Sequence, residues 1–201
     1  MIRLLLADDQ ALVRGALSAL LNLESDIEVV AEVGTGVDVV EAARASSPDV
    51  AMLDIEMPGM DGITATAALR EALPDVRVLI VTTFGRPGYL RRALQAGASG
   101  FVVKDTPAPQ LAEAVRRVAQ GLRVVDPELA TDSLVTGESP LSPRETEVLQ
   151  AARDGSSAAA IAARLFLSEG TVRNHLSAAI GKTGATNRAE AVRLAESNGW
   201  L

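Results

Sequence analysis

Val50-Ala51-Met52-Leu53-Asp54-Ile55-Glu56-Met57-Pro58-Gly59-Met60-Asp61-Gly62 decides the fold of this chain. Four apolar residues in a row, without polar alternation, read as a strand buried on both faces. The run stops at a carboxylate, Pro58 and Gly59 force a turn, and Gly62 eases the loop into a helix-period segment. The same grammar recurs on either side. Ile2–Ala7 stops at Asp8-Asp9, Val78–Val81 at Thr82, and Phe101–Val103 at Lys104. If these runs are parallel strands of one open sheet, their ends converge at its carboxyl edge, where such sheets place their ligands.

The first 121 residues alternate strand and helix signals throughout. Strands are expected at 2–7, 27–33, 49–54, 77–83 and 99–103, and helices at 10–22, 36–46, 61–73, 87–96 and 108–120. Strict alternation predicts an α/β fold, a doubly wound, five-stranded parallel sheet of the flavodoxin-like kind, with right-handed crossovers putting helices on both faces. Residues 122–140 break the pattern with prolines, a glycine and scattered acids and read as a linker, with a short helix near Pro127–Leu134. From 141 to 201 the strand signal disappears and four short helices are expected, an all-α second domain. Their starts are well marked. Ser142-Pro143-Arg144-Glu145 is a complete capping box, Ser168 precedes Glu169-Gly170-Thr171, and Asn187 stands three before Glu190. Two of these helices, about 157–165 and 169–182, joined by Phe166-Leu167-Ser168, have helix-turn-helix spacing.

Size and composition bound the answer. A chain of 201 residues suits one large or two small domains. It has no cysteine, so disulfides and thiolate metal sites are excluded, and no window approaches ~18 unbroken apolar residues. With no basic leader apparent, a cytoplasmic protein is expected. The net charge of −7 argues against nucleic acid until it is divided. Residues 1–137 carry 12 Lys and Arg against 19 Asp and Glu, whereas residues 138–201 carry 7 of each. The acidity belongs to the front half and does not veto DNA binding by the back half.

The front half has the chemistry of a phosphoryl acceptor. Magnesium takes oxygen ligands and one or two carboxylates, and Asp8 and Asp9, adjacent after the first strand, can face one pocket with Asp54. A carboxylate oxygen of Asp54 can attack a phosphoryl donor in line and form an acyl phosphate. Thr82 can donate to a phosphoryl oxygen, and Lys104 can pair with another as a point charge. Asp8-Asp9, the loop from Asp54 to Gly62, Thr82 and Lys104-Asp105 resemble the receiver domain of two-component response regulators over residues 1–121. The resemblance implies Asp54 as phospho-acceptor, and Asp8, Asp9, Asp54 and the backbone carbonyl of Glu56 around Mg²⁺. It also implies Thr82 and Phe101 as switch residues and Lys104 as a sensor of the phosphoryl group. Glu56 and Phe84 occupy positions that tune phosphoryl lifetime in the family. Phe101 replaces the tyrosine of many relatives, so its rotamer change would gain burial but no hydrogen bond.

The second helix of a helix-turn-helix presents its early residues to base edges in the major groove. In Glu169–Ser177, Val172, Leu176 and then Ile180 recur at four-residue spacing and should face the core. Thr171, Arg173, Asn174 and Ser177 are left for the other face. His175 is the only histidine of the chain, which excludes a histidine metal site, and is expected at the edge of that face or in the core. The stretch from Leu141 to Val192 resembles the LuxR-type helix-turn-helix, and the two halves together resemble the NarL/FixJ class of response regulators. That resemblance implies Arg173, Asn174 and Ser177 as base-facing, with Thr171 and Lys182 near phosphates. Lys182-Thr183-Gly184-Ala185 departs from the usual Lys-Leu-Gly-Val, and Ala178, Ala179 and Gly181 thin the reading helix. A weak, dimer-dependent DNA binder with a marginal second domain is therefore expected. The stretch Thr83–Arg92 resembles a subgroup of regulators linked to membrane-lipid control.

The function expected is a transcription factor switched by phosphorylation of Asp54. Its partners would be a sensor histidine kinase, a second copy of the chain and a palindromic operator in double-stranded DNA. Relatives of this class dimerise through receiver helices, most often the first and fifth or the fourth-strand face, and two apolar stripes favour the former here: Ala11, Leu12, Ala16, Leu20 and Leu111, Ala114, Val115, Val118. Both stripes could equally be sheet-facing core. Two other readings remain. A small Mg-dependent aspartyl-phosphate phosphohydrolase would need an acid two positions after Asp54, which Glu56 approximates. A phosphorylation-independent DNA-binding regulator would leave the front-half residues without work.

Overall fold

A computed structural model describes residues 1–83, 87–126, 129–130 and 139–201, which fall into two compact units, one built on a sheet and one on helices. In the first unit, strands β1 (Ile2–Ala7), β2 (Ile27–Val33), β3 (Val50–Leu53), β4 (Arg77–Thr82), β5 (Gly100–Val103) and β6 (Val124–Val125) form one parallel sheet in the order β2-β1-β3-β4-β5-β6. The helices between them are α1 (Ala11–Leu21), α2 (Val39–Ser46), α3 (Gly62–Ala72), α4 (Pro87–Gln95) and α5 (Ala108–Ala119). Chain order reverses at β1, which has β2 on one side and β3 on the other, so the crevice above β1 and β3 is the topological switch point.

The expectation of five strands needs correction. Val124 and Val125 add a sixth, paired in register with Gly100 and Phe101 of β5, inside the stretch read as linker. Two residues between Arg123 and Asp126 carry too little periodicity to announce a strand, and β6 exists because the β5 edge offers it a ladder. Helix α2 starts three residues later than expected. Thr35 and Asp38 bond each other there (Oγ1 to Oδ2, 2.6 Å), which holds the preceding residues in a turn. The expected helix near Pro127–Leu134 lies largely outside the described residues.

Strand burial follows the sequence pattern. Leu4, Leu6, Val50, Met52, Leu79, Val81 and Val102 share one face with Leu111, Val115 and Val118 of α5. The alternating residues Leu5, Ala51, Leu53 and Ile80 are equally inaccessible, so both faces are covered. The two stripes named above have different fates. Leu111, Ala114, Val115 and Val118 are core, whereas Leu12 is 86 % exposed, Leu20 is 45 % exposed, and Ala11 and Ala16 are also exposed. Helix α1 faces inward through Leu17, Ser18 and Leu21 instead. Arg116 on α5 ties that helix to the turn after α1 through Asp26 (2.8 Å) and Glu24 (2.6 Å).

The second unit contains α6 (Pro143–Ala151), α7 (Ala158–Leu165), α8 (Glu169–Thr183) and α9 (Arg188–Ser197). Its core gathers Val148, Leu149, Ile161, Val172, Leu176, Ala179, Ala191 and Val192, with Ile180 and the single tryptophan, Trp200, packed against it. Ala179, which thins the reading helix, is itself fully buried, so its small side chain sets the approach of α8 to its neighbours. Ser142 caps α6 in a reciprocal box with Glu145, as the sequence indicates. The box at α9 is only half formed. Asn187 accepts from the Glu190 amide, but the Glu190 carboxylate turns to Thr186. Gly184 ends α8 at φ +69, a conformation that a side chain at the same position would strain.

Glu145 has a second partner that the sequence does not announce. Its carboxylate takes the Lys182 ammonium at 2.7 Å and the Ser142 amide at 2.7 Å, fastening the end of α8 to the start of α6. The Lys182 bond, then the Ser142 amide, hold the Glu145 carboxyl down at about 2. A carboxyl depressed in the folded state adds stability above its unfolded value of 4.5 and loses it as pH falls toward about 2. Because the Lys182 partner is half-exposed and screened by water, and glutamine still accepts the Ser142 amide, Glu145→Gln is expected to cost the helical unit about 1 kcal/mol at pH 7. Urea titration followed by Trp200 fluorescence should show that gap closing as the pH is lowered from about 4.5. A gap independent of pH would mean that the charge is not what matters.

Candidate functional site

The strand ends meet as the sheet requires. β1 and β3 run in register from Leu4 opposite Val50 to Ala7 opposite Leu53, so Asp8 and Asp54 follow at the same level. The Asp54 amide donates to the Ala7 carbonyl at 2.8 Å and the Asp8 amide to the Val33 carbonyl at 3.1 Å, which extends the ladder one step beyond the strands. On the other side, the Lys104 amide donates to the Thr82 carbonyl at 2.8 Å. The carboxyl edge thus presents Asp8, Asp9, Asp54, Thr82 and Lys104 together. Asp8, Asp54 and Thr82 are buried and Asp9 is exposed.

Asp8, Asp9 and Asp54 each offer one oxygen, and these atoms lie within 4.8 Å of one another. Three hard oxygen donors at that spacing suit a small divalent cation such as Mg²⁺. The Lys104 ammonium lies 2.7 Å from Asp8 Oδ2 and 2.9 Å from Asp54 Oδ2. Asp54 Oδ1 accepts the Ile55 amide at 2.8 Å. Burial raises the Asp54 carboxyl above the usual carboxylate range, Lys104 opposes that rise, and the neighbouring Asp8 adds to it. Burial works against the Lys104 ammonium as well, but its bonds to Asp8 and Asp54 outweigh that and raise it. Both directions hold together because one cation serves two carboxylates, leaving Asp54 only partly compensated.

Two features of the site were not legible in the chain. Arg14, on α1, lines the small cavity beneath the site with Asp8, Leu17, Met52 and Asp54, and its guanidinium donates to the Asp8 carbonyl. Glu32 holds Arg14 from behind at 3.7 Å and takes the Ser18 hydroxyl at 2.7 Å. Only the i+6 spacing from Asp8 could have signalled that Arg14 folds back to its own strand end. The second feature is close approach. A Cβ on Gly62 would lie 1.8 Å from the Asp54 carbonyl oxygen, and one on Gly36 would lie 2.1 Å from that of Met60. Phe101 is fully buried on β5, between Ile80 and Val125 in register. Glu56 is exposed, and Phe84 lies outside the described residues, as do 85 and 86 of the Thr83–Arg92 stretch.

Helix α8 sorts its residues by face. Val172, Leu176 and Ala179 are buried, while Arg173, Asn174 and Ser177 are exposed together. Arg173 pairs with Glu169 one turn earlier. His175 is half-buried, at the boundary between the two faces. Thr171 is half-buried, and its hydroxyl is bonded to that of Ser168 at 2.7 Å, so it belongs to the cap. Lys182 stands exposed at the far end of the helix with its ammonium on Glu145.

Comparison with known proteins adds an independent line. The family described as response regulator receiver domain matches residues 4–116, and that described as bacterial regulatory proteins, luxR family, matches residues 139–195. The transcriptional regulatory protein DesR of Bacillus subtilis (strain 168) is 43 % identical over 201 residues, covering all of both chains. The response regulator RamR of Streptomyces coelicolor is 40 % identical over 200 residues, covering 100 % of this chain and 98 % of RamR. Among solved structures, the response regulator ChrA of a heme-sensing two-component system aligns with a TM-score of 0.61 at 38 % identity, over 100 % of this chain and 98 % of ChrA. The RcsB response regulator in complex with DNA aligns with a TM-score of 0.70 at 25 % identity, over 98 % of each chain.

Proposed function

Because the chain belongs to the two-component response regulators, joining a receiver domain to a LuxR-type DNA-binding domain, we propose that Asp54 accepts a phosphoryl group and that this acceptance controls dimerisation and operator binding. The observation that carries the proposal is the shared ammonium. Asp54 Oδ1 is fixed by the Ile55 amide and Oδ2 is held by Lys104 alone among the described bonds. Oδ2 is then the attacking atom. Its bond to phosphorus forms as the phosphorus–nitrogen bond of a kinase phosphohistidine breaks, and the departing imidazole takes a proton from water. Lys104 leaves Oδ2 for a new phosphoryl oxygen, and Thr82 donates its hydroxyl to another. Asp8, Asp9, Asp54 and the Glu56 carbonyl would hold Mg²⁺, which supplies neutralisation of the phosphoryl charge. Borohydride reduction of protein treated with acetyl phosphate tests the assignment. Homoserine is expected at position 54, and homoserine at position 8 or 9 instead would move the acceptor.

The switch would travel through β4 and β5. Thr82 moving toward a phosphoryl oxygen vacates space beside β5, and Phe101, already in register with Val125, would carry that shift to β6. Dimerisation would use α1, whose Leu12, Ala16 and Leu20 lie exposed on one face, while α5 contributes its outer polar face. Two copies must set their reading helices roughly 34–36 Å apart on a palindrome. Leu12→Asp and Leu20→Asp are expected to leave phosphorylation intact and keep the phosphorylated protein monomeric by light scattering. Dimers in both variants would assign the interface elsewhere.

At the DNA, Arg173, Asn174 and Ser177 would face bases, with Arg173 released from Glu169 to reach guanine or phosphate. Thr171 and Lys182 would serve phosphates only at their edges, because both are engaged within the fold. A regulator, rather than a phosphohydrolase, is supported by the luxR-family match over residues 139–195. A relic receiver is disfavoured because Asp8, Asp9, Asp54 and Lys104 come together at the sheet edge. Among the described residues, no helix is long and apolar enough to cross a membrane.

A further inference from the structure

The turn between α7 and α8 holds an aromatic side chain for which the fold has no use. Phe166 is 96 % exposed, the highest exposure among the large apolar residues described. It caps α7 in the left-handed region, at φ 54 and ψ 45, with its amide on the Ala162 carbonyl. That conformation is one glycine or asparagine adopts with less strain than a bulky residue. Its neighbours behave differently. Leu165 and Leu167 turn inward against the core of the helical unit, and Ser168 caps α8 by accepting the Thr171 amide. Phe166 therefore gives up backbone comfort and water-free burial together, two residues before the cap of the reading helix.

We infer that the Phe166 ring packs on the apolar faces of operator DNA, the deoxyribose or thymine methyl groups at the lip of the groove that α8 enters. The inference rests on the reading of α8 as the groove helix. The early residues of such a helix approach base edges, so the turn before it borders the sugar–phosphate wall. Gly170 carries no side chain, and a Cβ there would meet only the Ser168 hydroxyl at 3.8 Å. A protein partner is a poorer fit. Stable interfaces take about 800 Å² per side, whereas Ala163, Arg164, Ser168 and Glu169, close to Phe166 in the chain, are exposed and mostly polar. A single aromatic on a polar rim suits a narrow apolar feature such as a sugar face or a methyl group.

The test uses the full chain with beryllofluoride and Mg²⁺, and duplexes selected by the wild-type protein from a random-sequence library. Phe166→Asn should melt no lower than wild type and bind the selected duplexes about ten-fold more weakly. Phe166→Tyr should stay within about three-fold. Since an apolar contact releases no counterions, the slope of log affinity against log salt should be the same for all three proteins. Unchanged affinity in Phe166→Asn overturns the inference, as does a shallower salt slope. Intact DNA binding with lost transcription would assign the ring to a protein instead. If the wild type selects no duplex, the reading of α8 fails first, and the inference with it.

Discussion

Asp54→Asn is expected to abolish phosphoryl uptake from acetyl phosphate, and with it the phosphorylation-dependent dimer and the gain in DNA affinity. The same substitution should raise, not lower, the thermal midpoint of the sheet unit. Asp54 is buried, its carboxyl is pushed up by that burial, and Lys104 is shared with Asp8. A carboxyl raised in the folded state contributes stability below its unfolded value and loses it as pH rises through the folded one, so at neutral pH the ionised group opposes folding. Asparagine keeps an acceptor for the Ile55 amide and removes the charge, and a rise of a few degrees would be about 1 kcal/mol. Calorimetry with and without Mg²⁺ separates the parts, because wild type should gain stability from the cation and the variant less. A variant that still accepts phosphoryl groups would place the acceptor at another carboxylate.

Gly62→Ala should be the most damaging single-methyl change in the sheet unit. Its Cβ would stand 1.8 Å from the Asp54 carbonyl oxygen and 3.2 Å from the Ile55 Cα, both backbone, so no side chain can step aside. The start of α3 must retreat or the strand end must shift. Gly62 also donates its amide to the Ile55 carbonyl at 3.0 Å, which a retreat would break. Overpacking of this kind costs about 1–3 kcal/mol or more. The distinguishing consequence is chemical, since the displaced backbone carries Asp54, the proposed acceptor. Phosphorylation rate at saturating acetyl phosphate should fall at least about ten-fold in protein that remains folded, because small misplacements of a reacting group are expensive. Gly181→Ala is the control, as its Cβ would meet nothing within 4 Å. Equal phosphorylation in Gly62→Ala and wild type would show that the loop tolerates what the geometry forbids.

The contrast between these glycines shows where sequence reading stops. Local pattern placed Asp8, Asp54, Thr82 and Lys104 at strand ends, because a buried parallel strand has no alternation and its polar terminus is conspicuous. The sheet then had to bring them together, since parallel strands end on one edge. The bridge from Lys104 to both acids, the return of Arg14 to the Asp8 carbonyl and the Lys182–Glu145 pair join residues distant in sequence or folded back on themselves. Their partners depend on side-chain rotamers that no periodicity encodes. The two apolar stripes make the same point. Helical spacing could not say that α5 spends its stripe on the sheet while α1 leaves Leu12 and Leu20 in water. Strand β6 was invisible because two valines borrow their structure from the edge of β5. The Asn187 box looked complete in one dimension, yet Glu190 found Thr186 first.

The measurement closest to the central claim is the mass and DNA affinity of the full chain as beryllofluoride is added in the presence of Mg²⁺. Beryllofluoride imitates a phosphoryl group on a carboxylate without the chemistry of transfer, so it asks only whether the occupied site drives the switch. A doubling of mass by light scattering and a rise in affinity for selected duplexes are expected, both dependent on Mg²⁺ and both absent in Asp54→Asn. Occupancy of Asp54 with no change in mass or affinity would contradict it.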